Sequence, residues 1–575
     1  MNLSEWKESG VQLIKALRLR GEEEAFRRLL SELYPDEAHF IYELFQNAED
    51  ARAKLCRFTL TADALDFEHD GPDLFSEKDV MSITSFGNST KRDDPTAIGK
   101  SGVGFKSVFA YTSTPEIHSG DFHFRIHDLV VPETDGVEKT TNRARETLFI
   151  FPFNHSEKSP DKATEEVERG LRALGDNTLL FLSHIRKIEY LLPDGSLGYL
   201  ERIEHEGGLI ATNPEHLEST CQTDTAHFAH WTHIEIRSIR MDELLAVSHW
   251  LRFRSPITIK DSGGKIIPRH VAVAYKLNRG SGKPGEPEWT IVPVDPGEVS
   301  IYFPAAKETS KLRFHLHAPF ASTVARDSVR SFQGNNELRD HLAQLIAASI
   351  STIRDLGYLD VAFLAVLPNP TDSLSDFYEP IRVALVDAFR NSALVPARSQ
   401  GHVPGSKLSR SPAHMARTLS DRDITILSGR KTCLGPNPPL GQREEQFLKS
   451  LDIAEWSWEN LNRALSKRSR KAIVNKWLSR ISDENLKALY NLLEHSLRED
   501  RYYDRYQKKY LNHLNVSHLD IVRSRSLAET KMCRVNDSFF QVSQDHSRPS
   551  HVFFVLTQYC NGESKGFLEQ IGVKP

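Results

Sequence analysis

Glu43-Leu-Phe-Gln-Asn47-Ala-Glu-Asp50-Ala51 and, further on, Gly99-Lys-Ser-Gly102-Val-Gly104-Phe-Lys106-Ser107 decide how this chain is read. Between them lie His69-Asp70-Gly71 and Gly87-Asn-Ser-Thr-Lys91. At about 100° per residue, Glu43, Asn47 and Asp50 fall within roughly 60° of one another on a helix, with Ile41, Leu44, Phe45 and Ala48 on the opposite side. A solvent face normally mixes Lys, Glu and Arg in pairs. This stripe instead sets a carboxylate and a carboxamide one turn apart, both able to face a cleft. A side-chain amide oxygen is a hard ligand of the kind Mg²⁺ takes beside phosphates and waters. A carboxylate one turn away can orient and deprotonate a water. An ordinary surface helix reads equally well from this segment alone.

The glycines tip the balance. Gly99, Gly102 and Gly104 let backbone N–H groups approach an anion closely. Phe105, Val108 and Phe109 then start an apolar helical pattern, so the loop leads into a helix N-terminus, a ready anion site. It is not a Walker loop, because Gly104 is followed by Phe105 and not by Lys. It is not a dinucleotide fingerprint, because no compact strand–turn–helix precedes it. Taken in order, the segments supply a base, a metal ligand, a polar contact for a purine edge and a phosphate cradle, which together make most of an ATP site.

These residues resemble the GHKL ATPase superfamily and its Bergerat ATP-binding fold, in the branch of the heat-shock chaperones and sacsin. ELFQNAEDA looks like the first box, IGKSGVGFKS the phosphate-loop box and ETLFIFPF, residues 146–153, the final strand. The resemblance implies Glu43 as general base, Asn47 as Mg²⁺ ligand and Asp50 as a neighbouring support. It implies a cradle and lid base from Gly99, Lys100, Ser101, Gly102, Val103, Gly104 and Phe105. Lys91 would reach phosphate, and Thr147 would bind the adenine edge through water.

One box departs from the family. Its adenine reader is Asp-x-Gly, and here His69 stands in the Asp register before Asp70 and Gly71. Either Asp70 reads the adenine amino group after a one-residue shift, or His69 replaces the carboxylate through its unprotonated nitrogen. Asp70 is the preferred reader. A second likeness falls at residues 313–330, RFHLHAPFASTVARDSVR, which look like the end of the first half of the chaperone middle domain. There a loop arginine reaches the γ-phosphate, which implies Arg326, with Arg330 second. Without the likeness, Arg326 reads as a surface arginine beside Asp327.

The bulk properties are those of ordinary globular protein. The chain has 575 residues, 39% hydrophobic and 26% charged, with a net charge of −5, so no general pull toward nucleic acid is expected. No apolar run is long enough to span a membrane. The start, Met-Asn-Leu-Ser-Glu-Trp-Lys, lacks a secretory pattern. Cys56, Cys221, Cys433, Cys533 and Cys560 are scattered without metal-ligand spacing, which fits a reducing, cytoplasmic setting.

The expected fold class is α/β: a two-layer Bergerat domain over 1–182 with N-terminal helices at 5–33, then an α/β middle domain over 183–358. A mixed or loop-rich segment follows over 359–442, and a mainly helical region over 443–575. Alternation predicts a hairpin over 55–69, a polar lid over 86–100, and strands at 122–131, 147–153, 186–192, 198–204, 232–239, 268–276, 289–294, 299–303 and 312–317. Helices are expected at 241–253, 335–356 and 374–390. The sequence ends in FLEQIGVKP without an obvious finish and reads as the N-terminal part of a longer protein.

The function these features favour is a Mg²⁺-dependent ATPase that couples nucleotide state to domain closure. By family association it would act on a protein client as a chaperone or serve in bacterial anti-phage defence, and a homodimer fits the chaperone likeness. The N-terminal helix reads equally well as packed on its own domain. A module holding ATP as a structural ligand, and a DNA-processing ATPase, are the alternatives. Tyr502, Tyr503, Tyr506 and Tyr510 among basic residues could stack nucleic acid, or be half-buried helix faces. A histidine kinase is not supported, since no phospho-acceptor helix precedes the ATP module.

Overall fold

The computed structural model describes residues 3–574 apart from 22–39, 86–104, 139–145, 212–227, 242, 261–265, 281–282, 285–286, 324–326, 399–400, 431–432, 508–513, 527–528 and 541–551. The chain forms two compact units, Met1–Tyr358 with Ala365–Leu385, and Leu359–Leu364 with Val386–Pro575.

In the first unit, fifteen strands among the described residues join one sheet. In chain order they are β1 (Leu55–Leu60), β2 (Ala64–His69), β3 (Glu116–Ser119), β4 (Phe122–His127), β5 (Val131–Glu133), β6 (Thr147–Pro152), β7 (Lys187–Leu191) and β8 (Leu197–Ala211). There follow β9 (Phe228–Arg240), β10 (Glu243–Lys260), β11 (Ile266–Arg279), β12 (Trp289–Val292), β13 (Val299–Ile301), β14 (Phe303–Pro304) and β15 (His315–His317). Across the sheet the order is β5-β4-β3-β6-β2-β1-β7-β8-β9-β10-β11-β15-β13-β14, with β12 also on β11. Neighbours are antiparallel except β1 with β7 and β13 with β15. The hydrogen-bonded sheet therefore runs on through the expected boundary after residue 182, where β1 pairs with β7 from Leu55↔Lys187 to Thr59↔Leu191.

Helices α1 (Leu3–Arg20), α2 (Phe40–Asp50), α3 (Glu77–Ile83), α4 (Pro160–Arg172), α5 (Asn177–Leu180) and α6 (Gln333–Asp355) complete this unit. α2 lies on the sheet because its apolar stripe demands it. Phe40, Ile41, Leu44, Phe45 and Ala48 are all buried, and the Phe45 ring meets Phe58 of β1 and Phe67 of β2 at 5.4 and 6.4 Å. Each such ring removed from water contributes about 1.5–3 kcal/mol. α1 packs on its own unit. Trp6 and Ile14 are buried, a Cβ on Gly10 would come within 3.0 Å of Val130 O, and Lys7 pairs with Glu133 at 3.0 Å.

One expectation is corrected. Where a helix is expected over 241–253, the chain is strand from Glu243 on, since β10 pairs with β9 on one side and β11 on the other. Leu244, Leu245 and Val247 read as a helix start, but cross-strand pairing on both edges overrides local propensity. In the last region helices predominate among the described residues, with a small sheet beside them. Helices Arg443–Ser450, Trp458–Ser466, Lys471–Leu478, Asp483–Gln507 and Gly562–Gln570 share the second unit with a sheet of Val522–Arg525, Thr530–Cys533, Ser538–Phe539 and Phe553–Val555. Tyr490 is fully buried there and donates to Ile521 O at 2.6 Å. Among the described residues, no helix is long and apolar enough to cross a membrane, and no group of three His, Cys, Asp or Glu could hold a metal ion.

Candidate functional site

α2 carries the first group of side chains. Its C-terminus closes by the paired bonds Ala53 N–H to Ala48 O at 2.9 Å and Arg52 N–H to Glu49 O at 3.0 Å, with Arg52 at φ 60° where glycine is usual. Glu43 is 4% exposed, Asn47 half-buried and Asp50 exposed. The three lie on one stripe, graded from buried to open. A carboxylate and a carboxamide thus stand together at the edge of the apolar layer.

Strands β2 and β6 bring the second group together. His69 and Thr147 are register partners, and both are buried. The Thr147 hydroxyl shares a 2.7 Å hydrogen bond with Ser119 Oγ, which in turn accepts from Phe75 N–H at 3.0 Å. His69 is 3% exposed between the rings of Phe67 and Phe149. Burial pushes its pKa down to about 4, against the opposing pull of Asp70, so the ring is neutral. Its Nδ1 accepts from Gly71 N–H at 3.2 Å. The proton of the neutral ring therefore sits on Nε2, which makes His69 a donor at that atom. Gly71 fits because a Cβ there would stand 2.7 Å from Ala51 O and 2.9 Å from His69 Nδ1.

Asp70 is held by the main chain. Its Oδ1 accepts from Lys54 N–H at 2.7 Å and Leu55 N–H at 2.9 Å, and its own N–H donates to Leu55 O. The carboxylate closes the start of β1, on the exposed side of the strand end. His69, not Asp70, shares the buried face with Thr147.

Phe105 opens a short 3-10 helix, Phe105–Ala110, in place of the expected longer helix, and its ring meets Phe149 and Phe151 at 5.9 and 6.3 Å. Lys91, Gly99, Lys100, Ser101, Gly102, Val103, Gly104 and Arg326 lie outside the described residues.

Two buried charges escaped the sequence reading. Lys106 donates to Ile83 O at 2.6 Å and to Leu129 O, and burial lowers its pKa to about 7. Glu49 is 7% exposed and accepts from the amides of Ser183, His184 and Ile185. One signal was available for Glu49. The last turn of α2 is acidic and carries no basic residue, contrary to what the helix dipole favours. Around the helix, Gln46 and Glu49 stand about 100° and 160° from Asn47. On that flank Gln46, Glu49, Arg269 and Tyr302 line a small cleft that shares Asp50 with the stripe carrying Glu43.

Residues 23–148 match the Sacsin domain. That stretch contains both the α2 motif and the glycine segment. The chain is 37% identical over 204 residues to Protein NO VEIN of Arabidopsis thaliana, an alignment covering 29% of this chain and 7% of that protein. It is 27% identical over 234 residues to Sacsin of Homo sapiens, covering 31% of this chain and 5% of that protein. The chain thus spans less than a tenth of the length of these curated relatives. Among solved structures it is similar to the N-terminal domain of a DNA repair protein, with a TM-score of 0.24 at 9% identity over 36% of this chain and 70% of the other. The B-subunit of the DNA gyrase from Myxococcus xanthus gives 0.29 at 10% identity, over 64% and 97%. Likenesses this slight support no argument. The Sacsin-domain match and the two curated relatives support the sacsin side of the resemblance.

Proposed function

We propose that residues 1–182 form a Mg²⁺-dependent ATP hydrolase of the Bergerat type, followed over 183–358 by a middle domain that responds to nucleotide state. The observation that carries this reading is the Sacsin-domain match over 23–148 on a stretch whose α2 sets Glu43 and Asn47 on one stripe at the edge of the buried layer. Glu43 orients and deprotonates the attacking water. Asn47 offers one neutral oxygen, and the residues fit a metal that keeps phosphate and water as its other ligands. Mg²⁺, when bound there, would offset charge on the transferring phosphoryl group. The glycines from Gly99 to Gly104 cradle phosphate, Lys91 reaches it, and Arg326 completes the site at the γ-phosphate. The partner acted upon is a protein client.

A second reading has its own support. The Nδ1 of His69 is occupied by Gly71 N–H, so the family's acceptor for an adenine amino group is missing from that register. A module that holds nucleotide with little turnover, or with a relaxed choice of base, follows from that. Calorimetry with ATP, with and without Mg²⁺, together with phosphate release by wild type and Glu43→Ala, separates the two. Binding without release in the wild type favours the scaffold. No binding at all sinks both.

A further inference from the structure

Glu49 occupies a place that electrostatics disfavours. It is in the last turn of α2, where the negative end of the helix repels a carboxylate. Burial of an unpaired carboxylate is costly as well. Three consecutive amides offset both effects. Oε1 accepts from Ser183 N–H at 2.5 Å and His184 N–H at 3.0 Å, and Oε2 from His184 N–H at 3.1 Å and Ile185 N–H at 3.0 Å. Hydrogen bonds to an ionised acceptor are the strong kind, and successive amides converging on one anion form a compact cradle.

The carbonyls of the same stretch are held from β8 and β10. Leu179 O and Leu182 O accept from Arg202 Nη1, and Leu180 O from Arg252 Nη1 at 2.9 Å. Ser183 Oγ accepts from Arg254 Nη2, which also donates to His270 Nδ1 of β11. Arg252 continues to Glu204 at 3.0 Å. The peptide units of 179–185 therefore lie between a carboxylate of α2 and three guanidiniums of β8 and β10. In such a chain each hydrogen bond polarises the next. Phe303 adds a second connection, with its ring 5.2 Å from Tyr42 and 6.0 Å from Phe45 of α2. Tyr302 beside it is held at φ 71°, a conformation that persists in a non-glycine residue only when its surroundings enforce it.

We propose that Glu49 is a positioning residue of the candidate site, fixing the rotation and depth of α2, and so of Glu43 and Asn47, and joining that helix to β8 and β10. Its catalytic consequence rests on the ATPase reading above; its mechanical one does not. Glu43 and Glu49 share one rod and lie about 9 Å apart along its axis. A displacement of about 1 Å at a reacting group can cost 10²-fold in rate. Anchoring the far end of the rod is therefore enough to matter at the near end.

Hydrogen exchange on nucleotide-free protein tests the mechanical part. Glu49→Gln is isosteric but sets an N–H₂ donor against amide donors. Amides of 40–50 and of 183–185 should then exchange faster together, by about tenfold or more. Unchanged exchange in 40–50 overturns the proposal, whatever the protein does with ATP. If Glu49→Gln does not fold, Glu49→Asp takes its place, because its shorter arm cannot reach all three amides. Faster exchange in both 40–50 and 183–185 is expected, and unchanged exchange in 40–50 overturns the proposal. Mg-ATP turnover tests the catalytic part. In Glu49→Gln, kcat should fall about tenfold or more with KM within about threefold, because no nucleotide contact is lost. Glu49→Asp, which keeps the charge on a shorter arm, should lie between. An unchanged kcat, or a loss confined to KM, makes Glu49 a local cap and nothing more. A wild type that binds no Mg-ATP refutes the ATPase reading and leaves the exchange result to decide this one.

Discussion

On the face of β2 and β6 that carries Phe67 and Phe149 the buried polar side chains are neutral, His69 and Thr147, beside the helix that carries Glu43; Glu68, also buried, alternates to the other face and pairs with Arg57. On β8 and β10 the buried polar side chains are guanidiniums. Arg202 is 2% exposed and Arg252 5%, and both donate to main-chain carbonyls of 179–182. Burial lowers the Arg202 pKa to about 9 and that of Arg254 to about 10, so both charges persist at neutral pH. One half of the sheet buries neutral groups beside the stripe that carries Glu43, whereas the other aims its charges at the chain's own carbonyls. The difference teaches that buried polarity is not by itself a sign of a site; what matters is where the polar groups are aimed.

The sharpest way to break this contrast is Glu43→Ala. Turnover of Mg-ATP should fall about 10²-fold or more while binding persists, the usual scale for a general base. Phosphate release beside calorimetry reads it, and turnover at the wild-type rate would remove Glu43 from the chemistry. Arg252→Met addresses the other half. It removes one of the partners of Glu204 and the Arg252 donor of Leu180 O, and should destabilise the first unit by about 3 kcal/mol, seen as a lower urea midpoint. A variant that lost turnover but kept its midpoint would move the arginines into the site.

The next test uses pH. His69 has its pKa lowered to about 4, and burial shifts His315 to about 4 and His317 to about 3. Each is a base that folding holds neutral, so the unfolded chain binds more protons below its ordinary value of 6.5. Stability should therefore be complete above pH 6.5 and decline as the pH falls toward 4. His69 contributes at most about 3 kcal/mol of that decline. Urea midpoints from pH 7 to 4 for wild type and His69→Gln measure it, and equal slopes would deny His69 its neutral, buried state.

The smallest effect concerns the base. His69→Asp returns an acceptor to the register opposite Thr147 and should raise the preference for ATP over GTP by about tenfold, the worth of one well-made hydrogen bond. Asp70→Asn should change that preference less, since its carboxylate is engaged with Lys54 and Leu55. Equal nucleotide preference in wild type and His69→Asp would place base reading elsewhere.

Local sequence made α2 legible. Period 3.6 separated Phe45 and Ala48 from Glu43 and Asn47, and alternation found β1, β2 and most strands beyond β7. The segment 241–253 was not legible, because Leu244 and Leu245 favour a helix until two neighbouring strands claim the backbone. The choice between His69 and Asp70 was not legible either. The two differ by one position, and in a strand one position is the difference between two faces.

The sequence by itself determined the apolar stripe that seats α2 and the order of the motif segments, because these depend on periodicity and on the chemistry of single residues. Only the tertiary structure decided that Asp70 closes β1, that His69 presents a donor, and that Glu49 meets the amides of Ser183–Ile185. Those outcomes join residues as many as 136 positions apart. No local propensity encodes such a pairing; it exists only once the chain has brought α2 and the start of β7 together.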